Sequence, residues 1–171
     1  SAVQLARNIF DGLENHHVLL VGAGETIELV ARHLIEAGVR KITIANRRIE
    51  RAEIMIDELG ISASAHGLDA LESLLPAADI VVASTAAQEV LITKEMTKKA
   101  LKLRKNRPML LIDLAVPRDI SPDLDKLSNI YLYTVDNLNE IVEDNQKARE
   151  EAAITAEKYI AKGLLRWIEW Y

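Results

Sequence analysis

Two glycines directly after a short apolar run decide what kind of fold this sequence can form. The run covers residues 18–21 (VLLV), and Gly22, Ala23 and Gly24 lead from it into a segment with helical spacing. An apolar run of this length predicts a buried strand, and the glycines predict a tight strand-to-helix turn. Such a turn brings backbone N–H groups and the positive end of a helix dipole up to a phosphate. The sequence therefore predicts a phosphate-binding loop.

The loop departs from the usual dinucleotide fingerprint at one position. The third glycine of the pattern G-x-G-x-x-G lets helix and strand pack closely, and Ile27 stands there in this sequence. This departure weakens the packing argument more than the phosphate argument. The alternative to a dinucleotide site is a tight turn without a ligand. The candidate cofactor contacts in the loop are Gly22, Ala23, Gly24, Glu25, Thr26 and Ile27.

A cationic segment follows the second strand. Residues 42–45 form that strand, and Asn46, Arg47 and Arg48 come directly after it. An acid at this position suits a ribose 2′-hydroxyl, whereas arginine matches a 2′-phosphate. We therefore predict NADPH as the cofactor, with Asn46, Arg47 and Arg48 as candidate contacts. Arg47 is the preferred phosphate ligand, and a solvent-directed Arg48 is the alternative for that residue. The alternative is a solvated start of the next helix. A methyltransferase that uses S-adenosylmethionine would instead want an acid here.

Strands and helices alternate along the first 135 residues. Strands are predicted at residues 18–21, 42–45, 61–65, 79–83, 109–113 and 130–133, and helices at 2–14, 26–37, 49–59, 67–75 and 93–103. Several strands are continuous apolar runs, which is typical of parallel strands that are buried on both faces. The sequence thus predicts an α/β fold, a Rossmann-type doubly wound parallel sheet, with an additional N-terminal helix at 2–14.

The last 36 residues have a different pattern. Residues 136–171 contain no proline and one glycine, and their apolar positions form one helical stripe. A helix of this length spans about 50 Å, which is more than a small domain needs. We therefore expect a dinucleotide-binding domain at 1–135 and a long linking helix at 136–171 that leads to a further domain.

Charge and hydropathy exclude several classes of protein. The 171-residue chain carries 21 basic and 26 acidic side chains, a net charge of −5. Extensive binding to nucleic acid normally requires a basic surface, so any such contact is either local or belongs to another part of the protein. No apolar run approaches the roughly 18 residues of a membrane helix. We expect a cytoplasmic protein that does not bind a membrane.

Neither cysteine nor histidine indicates a reactive or metal-binding site in this sequence. The absence of cysteine excludes disulfides, thiolate metal sites and a cysteine nucleophile within this chain. His16, His17, His33 and His66 show no metal-ligand spacing. We therefore predict neither a metal site nor a catalytic residue in this chain.

Two further segments end strands at the edge where a nicotinamide would lie. Ser84, Thr85 and Ala86 follow the fourth strand, and Leu114 and Ala115 follow the fifth. The carboxyl ends of parallel strands form the binding crevice of this fold, so both segments are candidate cofactor contacts. The alternative for Ser84 and Thr85 is a helix-capping role.

Four segments together resemble the bacterial glutamyl-tRNA reductases. They are 21–27 (VGAGETI), 45–48 (ANRR), 113–120 (DLAVPRDI) and 133–138 (YTVDNL). The first is shared by many dehydrogenases, whereas the third and fourth in this order are much more specific. Asp113 begins the third segment, and we expect it to cap backbone N–H groups.

The resemblance implies a role for this chain. In that family a cysteine of an N-terminal domain forms a thioester from glutamyl-tRNA, and NADPH reduces it to glutamate 1-semialdehyde for tetrapyrrole synthesis. This chain would be the NADPH-binding domain and the start of the spinal helix. Glutamyl-tRNA would be held by other domains, the helix would continue into a homodimer, and a glutamate-1-semialdehyde aminomutase is a candidate partner.

Two alternatives stay open. A small-molecule dehydrogenase of the shikimate dehydrogenase type shares the Asn-Arg strand end, but it needs a catalytic Lys/Asp pair and a substrate domain. A non-catalytic nucleotide-sensing module would use the long helix for assembly.

Overall fold

A computed structural model describes residues 2–139 and 146–151 of the chain. The chain divides into two compact units, Ser1–Val135 and Asp136–Tyr171. In the second unit, the described residues 136–139 and 146–151 are helical. The remainder of the predicted helix at 136–171 lies outside the described residues.

The first unit is built on six parallel strands. They are β1 (His17–Val21), β2 (Lys41–Ala45), β3 (Ser64–His66), β4 (Ile80–Ala83), β5 (Met109–Asp113) and β6 (Ile130–Thr134). Their order in the sheet is β3-β2-β1-β4-β5-β6, and every neighbouring pair is parallel. The predicted Rossmann-type parallel sheet is confirmed. The strand order reverses between β1 and β4, which is where ligands bind in such sheets.

The central strands are buried as their apolar sequences require. All residues of β4 and β5 are buried, and so are the last four residues of β1. Burying apolar surface contributes about 25 cal/mol per Å², so these strands supply much of the driving force for folding. Because these strands have almost no polar side chains, the side chains that fix the loops must come from residues at or beyond the strand ends.

Helices flank this sheet. They are α1 (Ala2–Ile9), α2 (Glu25–Glu36), α3 (Ile49–Leu59), α4 (Leu71–Leu74) and α5 (Lys94–Leu103), with 3-10 turns at Leu68–Ala70, Leu75–Ala77 and Pro122–Lys126. Within residues 2–139 and 146–151, no helix has both the length and the apolar character needed to cross a membrane.

Three predicted boundaries are wrong. The N-terminal helix predicted at 2–14 ends at Ile9, because Gly12 is a poor helix former and the turn after the helix buries Leu13. The helix predicted at 67–75 is one α-helical turn between two 3-10 turns. The third strand lies at Ser64–His66 instead of 61–65, where it pairs with β2.

A buried arginine ties together the edge of the sheet opposite the carboxyl ends. Arg104 is fully buried, and its guanidinium donates to Oδ1 of Asp79 (2.8 Å) and to the carbonyls of Pro76, Ala78 and Pro108 (3.0, 2.8 and 2.8 Å). Oδ2 of Asp79 accepts the backbone N–H of His17 at 2.9 Å. This network joins α5 to the starts of β1, β4 and β5.

Candidate functional site

A cleft of about 780 Å³ lies at the carboxyl edge of the sheet, where β1 and β4 are neighbours. Three predicted segments line it together, namely 22–24, 46–48 and 84–86. These segments follow β1, β2 and β4, so the parallel topology brings them to one place from positions up to 64 residues apart in sequence. The cleft therefore unites the glycine loop, the arginines and the Ser-Thr segment.

Gly22 occupies a position that only glycine can fill. Its φ is +119°, and a Cβ there would lie 2.3 Å from the carbonyl oxygen of Ser84. The backbone N–H of Gly22 donates to the carbonyl of Ala45 at 2.8 Å, so this residue touches the ends of β2 and β4 at once. Ile27 is fully buried, with Cγ1 3.3 Å from the same Cβ position. The unusual third position of the fingerprint is thus filled by a packed side chain.

Gly24 has a different environment. Its backbone is extended, it is the N-cap of α2 without a side-chain cap, and a Cβ there would meet no atom within 4 Å. The first N–H groups of a helix lack partners within the helix, so this turn has donors for an anion. Gly22, Ala23 and Gly24 line the cleft, whereas Glu25, Thr26 and Ile27 are not among the lining residues.

Three arginines line the cleft beside the end of β2. Arg47 and Arg48 were candidate contacts, and Arg48 lines the cleft as Arg47 does although a solvent-directed position was its alternative. Arg51 joins them from the first turn of α3. All three are exposed, and none forms an ion pair within the part of the chain that the structure describes. The signal that could have identified Arg51 is its place in the first turn of the helix predicted at 49–59, three residues after Arg48. Asn46 shapes the turn, because its Nδ2 donates to the carbonyl of Arg48 at 3.0 Å.

The wall of the cleft that begins with Ser84, Thr85 and Ala86 is held by the buried carboxylate of Asp119. Oδ2 of Asp119 accepts the backbone N–H of Thr85 at 2.8 Å, and Oδ1 accepts the Thr85 hydroxyl at 2.6 Å. Burial raises the pKa of Asp119, the two bonds from Thr85 oppose this effect, and the charge of Asp113 adds to it. The wall extends beyond Ala86 to residues 87–89 and Leu91, which the sequence did not indicate.

Asp113, the last residue of β5, fixes the segment that follows this strand. Asp113 is buried, and its carboxylate accepts the backbone N–H groups of Ala115 (3.0 Å) and Ile120 (2.8 Å). The predicted capping role of Asp113 is therefore confirmed. Leu114 and Ala115 are not among the residues that line the cleft.

The histidines do not line the cleft either. His17 is the first residue of β1, at the opposite edge of the sheet, and its Nε2 lies 2.7 Å from the Thr43 hydroxyl. Desolvation lowers the pKa of His17, which Asp79 opposes and Lys41 reinforces. Among residues 2–139 and 146–151, no cluster of three or more His, Cys, Asp or Glu side chains is arranged to hold a metal ion.

The fold and the cleft together define a Rossmann-like nucleotide-binding domain. Residues 4–141 match the family described as Shikimate / quinate 5-dehydrogenase, and the chain belongs to that family. Within this class it is a homologue of glutamyl-tRNA reductase. It is 49% identical over 170 residues to glutamyl-tRNA reductase of Shewanella halifaxensis (strain HAW-EB4), covering 99% of this chain and 40% of that protein.

Solved structures agree with this relationship. Glutamyl-tRNA reductase from Methanopyrus kandleri superposes with a TM-score of 0.81 at 35% identity, covering 98% of this chain and 42% of that one. Quinate dehydrogenase from Corynebacterium glutamicum, solved in complex with NAD, has a TM-score of 0.54 at 22% identity, covering 77% of this chain and 49% of that one. The second likeness shows the fold alone. The resemblance to the glutamyl-tRNA reductases is thus confirmed, for a chain that spans about two fifths of their length.

Proposed function

We propose that this chain is the NADPH-binding domain of a glutamyl-tRNA reductase. The observation that carries the proposal is the convergence of an open glycine turn, three exposed arginines without an ion pair among the described residues, and an anchored Ser-Thr segment on one cleft. Each of these three features matches a different part of nicotinamide adenine dinucleotide phosphate. The homology to glutamyl-tRNA reductase supplies the reaction.

The glycine turn suits the pyrophosphate. Gly24 has open space where a Cβ would stand, and α2 begins there without a side-chain cap. A phosphate can therefore approach the backbone closely and accept N–H groups between Ala23 and Ile27. In this arrangement Glu25, Thr26 and Ile27 contribute through their backbone.

The arginines suit the 2′-phosphate of the adenosine ribose. Arg47, Arg48 and Arg51 are exposed, lie on the same cleft and have no carboxylate partner within the described residues. Guanidinium groups bind phosphate oxygens through paired hydrogen bonds. The cluster therefore favours NADPH over NADH.

Ser84, Thr85 and Ala86 suit the nicotinamide half, with Leu114 and Ala115 on the neighbouring segment. NADPH supplies a hydride to the thioester, and this chain's contribution is to hold the cofactor in position. The thioester and the bound glutamyl-tRNA belong to other parts of the protein. We also propose that 136–171 links the domain to a dimerisation region, and that a glutamate-1-semialdehyde aminomutase receives the product.

The proposal is tested by titrating the chain with NADPH and with NADH. We expect tighter binding of NADPH, and we expect Arg47→Ala to weaken NADPH binding by roughly 10- to 100-fold while leaving NADH unchanged, the range of a charge-assisted hydrogen bond. Arg40→Ala is the matched control, since Arg40 is exposed and lies outside the cleft.

Other outcomes would contradict the proposal in distinct ways. Equal affinity for the two nucleotides would show that the arginines do not select a phosphate. Reduction or oxidation of a shikimate-type substrate by the chain alone would favour a small-molecule dehydrogenase. Dimerisation without any nucleotide binding would favour a sensing or assembly module.

A further inference from the structure

Asp119 holds one wall of the cleft at two points although it does not line the cleft itself. Its side chain accepts the N–H and the hydroxyl of Thr85, at 2.8 and 2.6 Å. Its backbone carbonyl accepts the N–H groups of Leu91 and Ile92, at 2.7 and 3.0 Å. One residue therefore holds both ends of the segment 85–91, which forms the wall next to β4.

The surroundings of Asp119 leave it little freedom to move. The residue has no exposed surface, and its neighbour Ile120 forms a parallel bridge with Ile92. The backbone N–H of Ile120 is also held by the carboxylate of Asp113 at 2.8 Å. Two buried carboxylates thus connect Thr85 to β5: Asp113, at the end of β5, fixes Ile120, and the adjacent Asp119 fixes Thr85.

The chemistry of the contact requires a carboxylate. Thr85 offers two donors, its N–H and its hydroxyl, and the two oxygens of Asp119 accept one each. The Thr85 hydroxyl oxygen also accepts the N–H of Ala87 at 3.1 Å, so the direction of its own proton is set. Asparagine has the same shape but one acceptor, so it leaves one of the two donors without a partner. A buried donor without a partner is costly, so the segment would shift to satisfy it.

We propose that Asp119 is a positioning residue that shapes the nicotinamide end of the cleft by holding the segment 85–91 through Thr85. This inference rests on the proposed function, because it concerns the same dinucleotide site. The inference predicts that the nicotinamide end of the site depends on Asp119 and that the adenosine end does not. The glycine turn and the arginines make no hydrogen bond to Asp119 among the described residues, so the adenosine end does not depend on it.

The test compares a whole cofactor with its adenosine half. NADPH and 2′,5′-ADP are titrated into the 171-residue chain and into its Asp119→Asn variant. We expect Asp119→Asn to weaken NADPH binding by about tenfold, because one buried donor of Thr85 loses its acceptor and the segment that contacts the nicotinamide half shifts. Binding of 2′,5′-ADP should change by less than about twofold. Asp125→Asn is the matched control, since Asp125 is exposed and lies outside the cleft.

Each result has one meaning. An equal loss of both ligands in Asp119→Asn, or no loss of either, would overturn the positioning role. Failure of the unaltered chain to bind either ligand would instead overturn the proposed function. If Asp119→Asn does not fold, Thr85→Val is the second variant, and it should show the same selective loss of NADPH. Where both fold, the double variant should bind NADPH no worse than the weaker single variant, since both remove one interaction.

Discussion

Alanine at Gly22 and alanine at Gly24 are expected to damage two different properties of the chain. At Gly22 the new Cβ would lie 2.3 Å from the Ser84 carbonyl oxygen, in a backbone conformation with φ +119°. The strained conformation costs about 1–3 kcal/mol, and overpacking costs about 1–3 kcal/mol. We therefore expect Gly22→Ala to lower the free energy of unfolding by about 2–6 kcal/mol, a large part of the stability of a typical domain.

Gly24→Ala should cost much less stability than Gly22→Ala. The backbone there is extended, with φ −92°, and a Cβ would meet no atom within 4 Å. A loss of about 0.5–1 kcal/mol is expected, because no atom obstructs the Cβ but alanine is a poorer N-cap than glycine. The methyl group would however stand in the cleft, where the pyrophosphate approaches the backbone. We therefore expect NADPH binding to weaken by about tenfold or more.

The pair is measured by urea unfolding, followed by the helical circular dichroism signal, and by titration with NADPH. If Gly22→Ala unfolds at the same urea concentration as the unaltered chain, the close approach of the β1 turn to Ser84 is not a constraint. If Gly24→Ala binds NADPH as well as the unaltered chain, the pyrophosphate does not lie at this turn. Because each variant fails in a different assay, neither result can be attributed to general damage.

Three further predictions concern charged groups. Arg104→Met leaves the Asp79 carboxylate and several carbonyls without their partner, so it should lower the free energy of unfolding in urea by about 3–5 kcal/mol. Lys102→Met, at an exposed site of α5, should lower it by less than about 0.5 kcal/mol. Equal losses in the two variants would contradict the role of the buried pair. Because burial lowers the pKa of His17 from 6.5, the unfolded chain binds its proton more readily. Stability should thus decrease as the pH falls below about 6.5, and His17→Gln should remove that part of the urea-unfolding profile; an unchanged profile would refute it. Raising the salt concentration from about 0.05 to 0.5 M should weaken NADPH binding more than NADH binding, because exposed arginines are screened; parallel titrations decide this.

The sheet could be predicted because its signals are local. Each central strand is a continuous apolar run, and the strand-to-helix turn at Gly22 follows directly from the residues beside it. The buried role of Arg104 had no such signal, since it directly follows a lysine-rich helix and its carbonyl partners Pro76 and Ala78 are 28 and 26 residues away. The contact of Asp119 with Thr85 spans 34 residues and depends on the loop geometry after two strands.

The division of charge within the domain explains how an acidic chain can offer a cationic cleft. Three carboxylates, those of Asp79, Asp113 and Asp119, are buried at or near strand ends. Each accepts two hydrogen bonds, from backbone N–H groups, the Thr85 hydroxyl or Arg104. Apolar strands have no side chains that can hold their loops, so these acids supply the anchors, and the resulting bonds satisfy their buried charge. The arginines of the cleft have no such structural bonds among the described residues, and they stay exposed. Substitutions at the arginines should therefore change nucleotide preference at little cost in stability, whereas substitutions at the acids change the shape of the site.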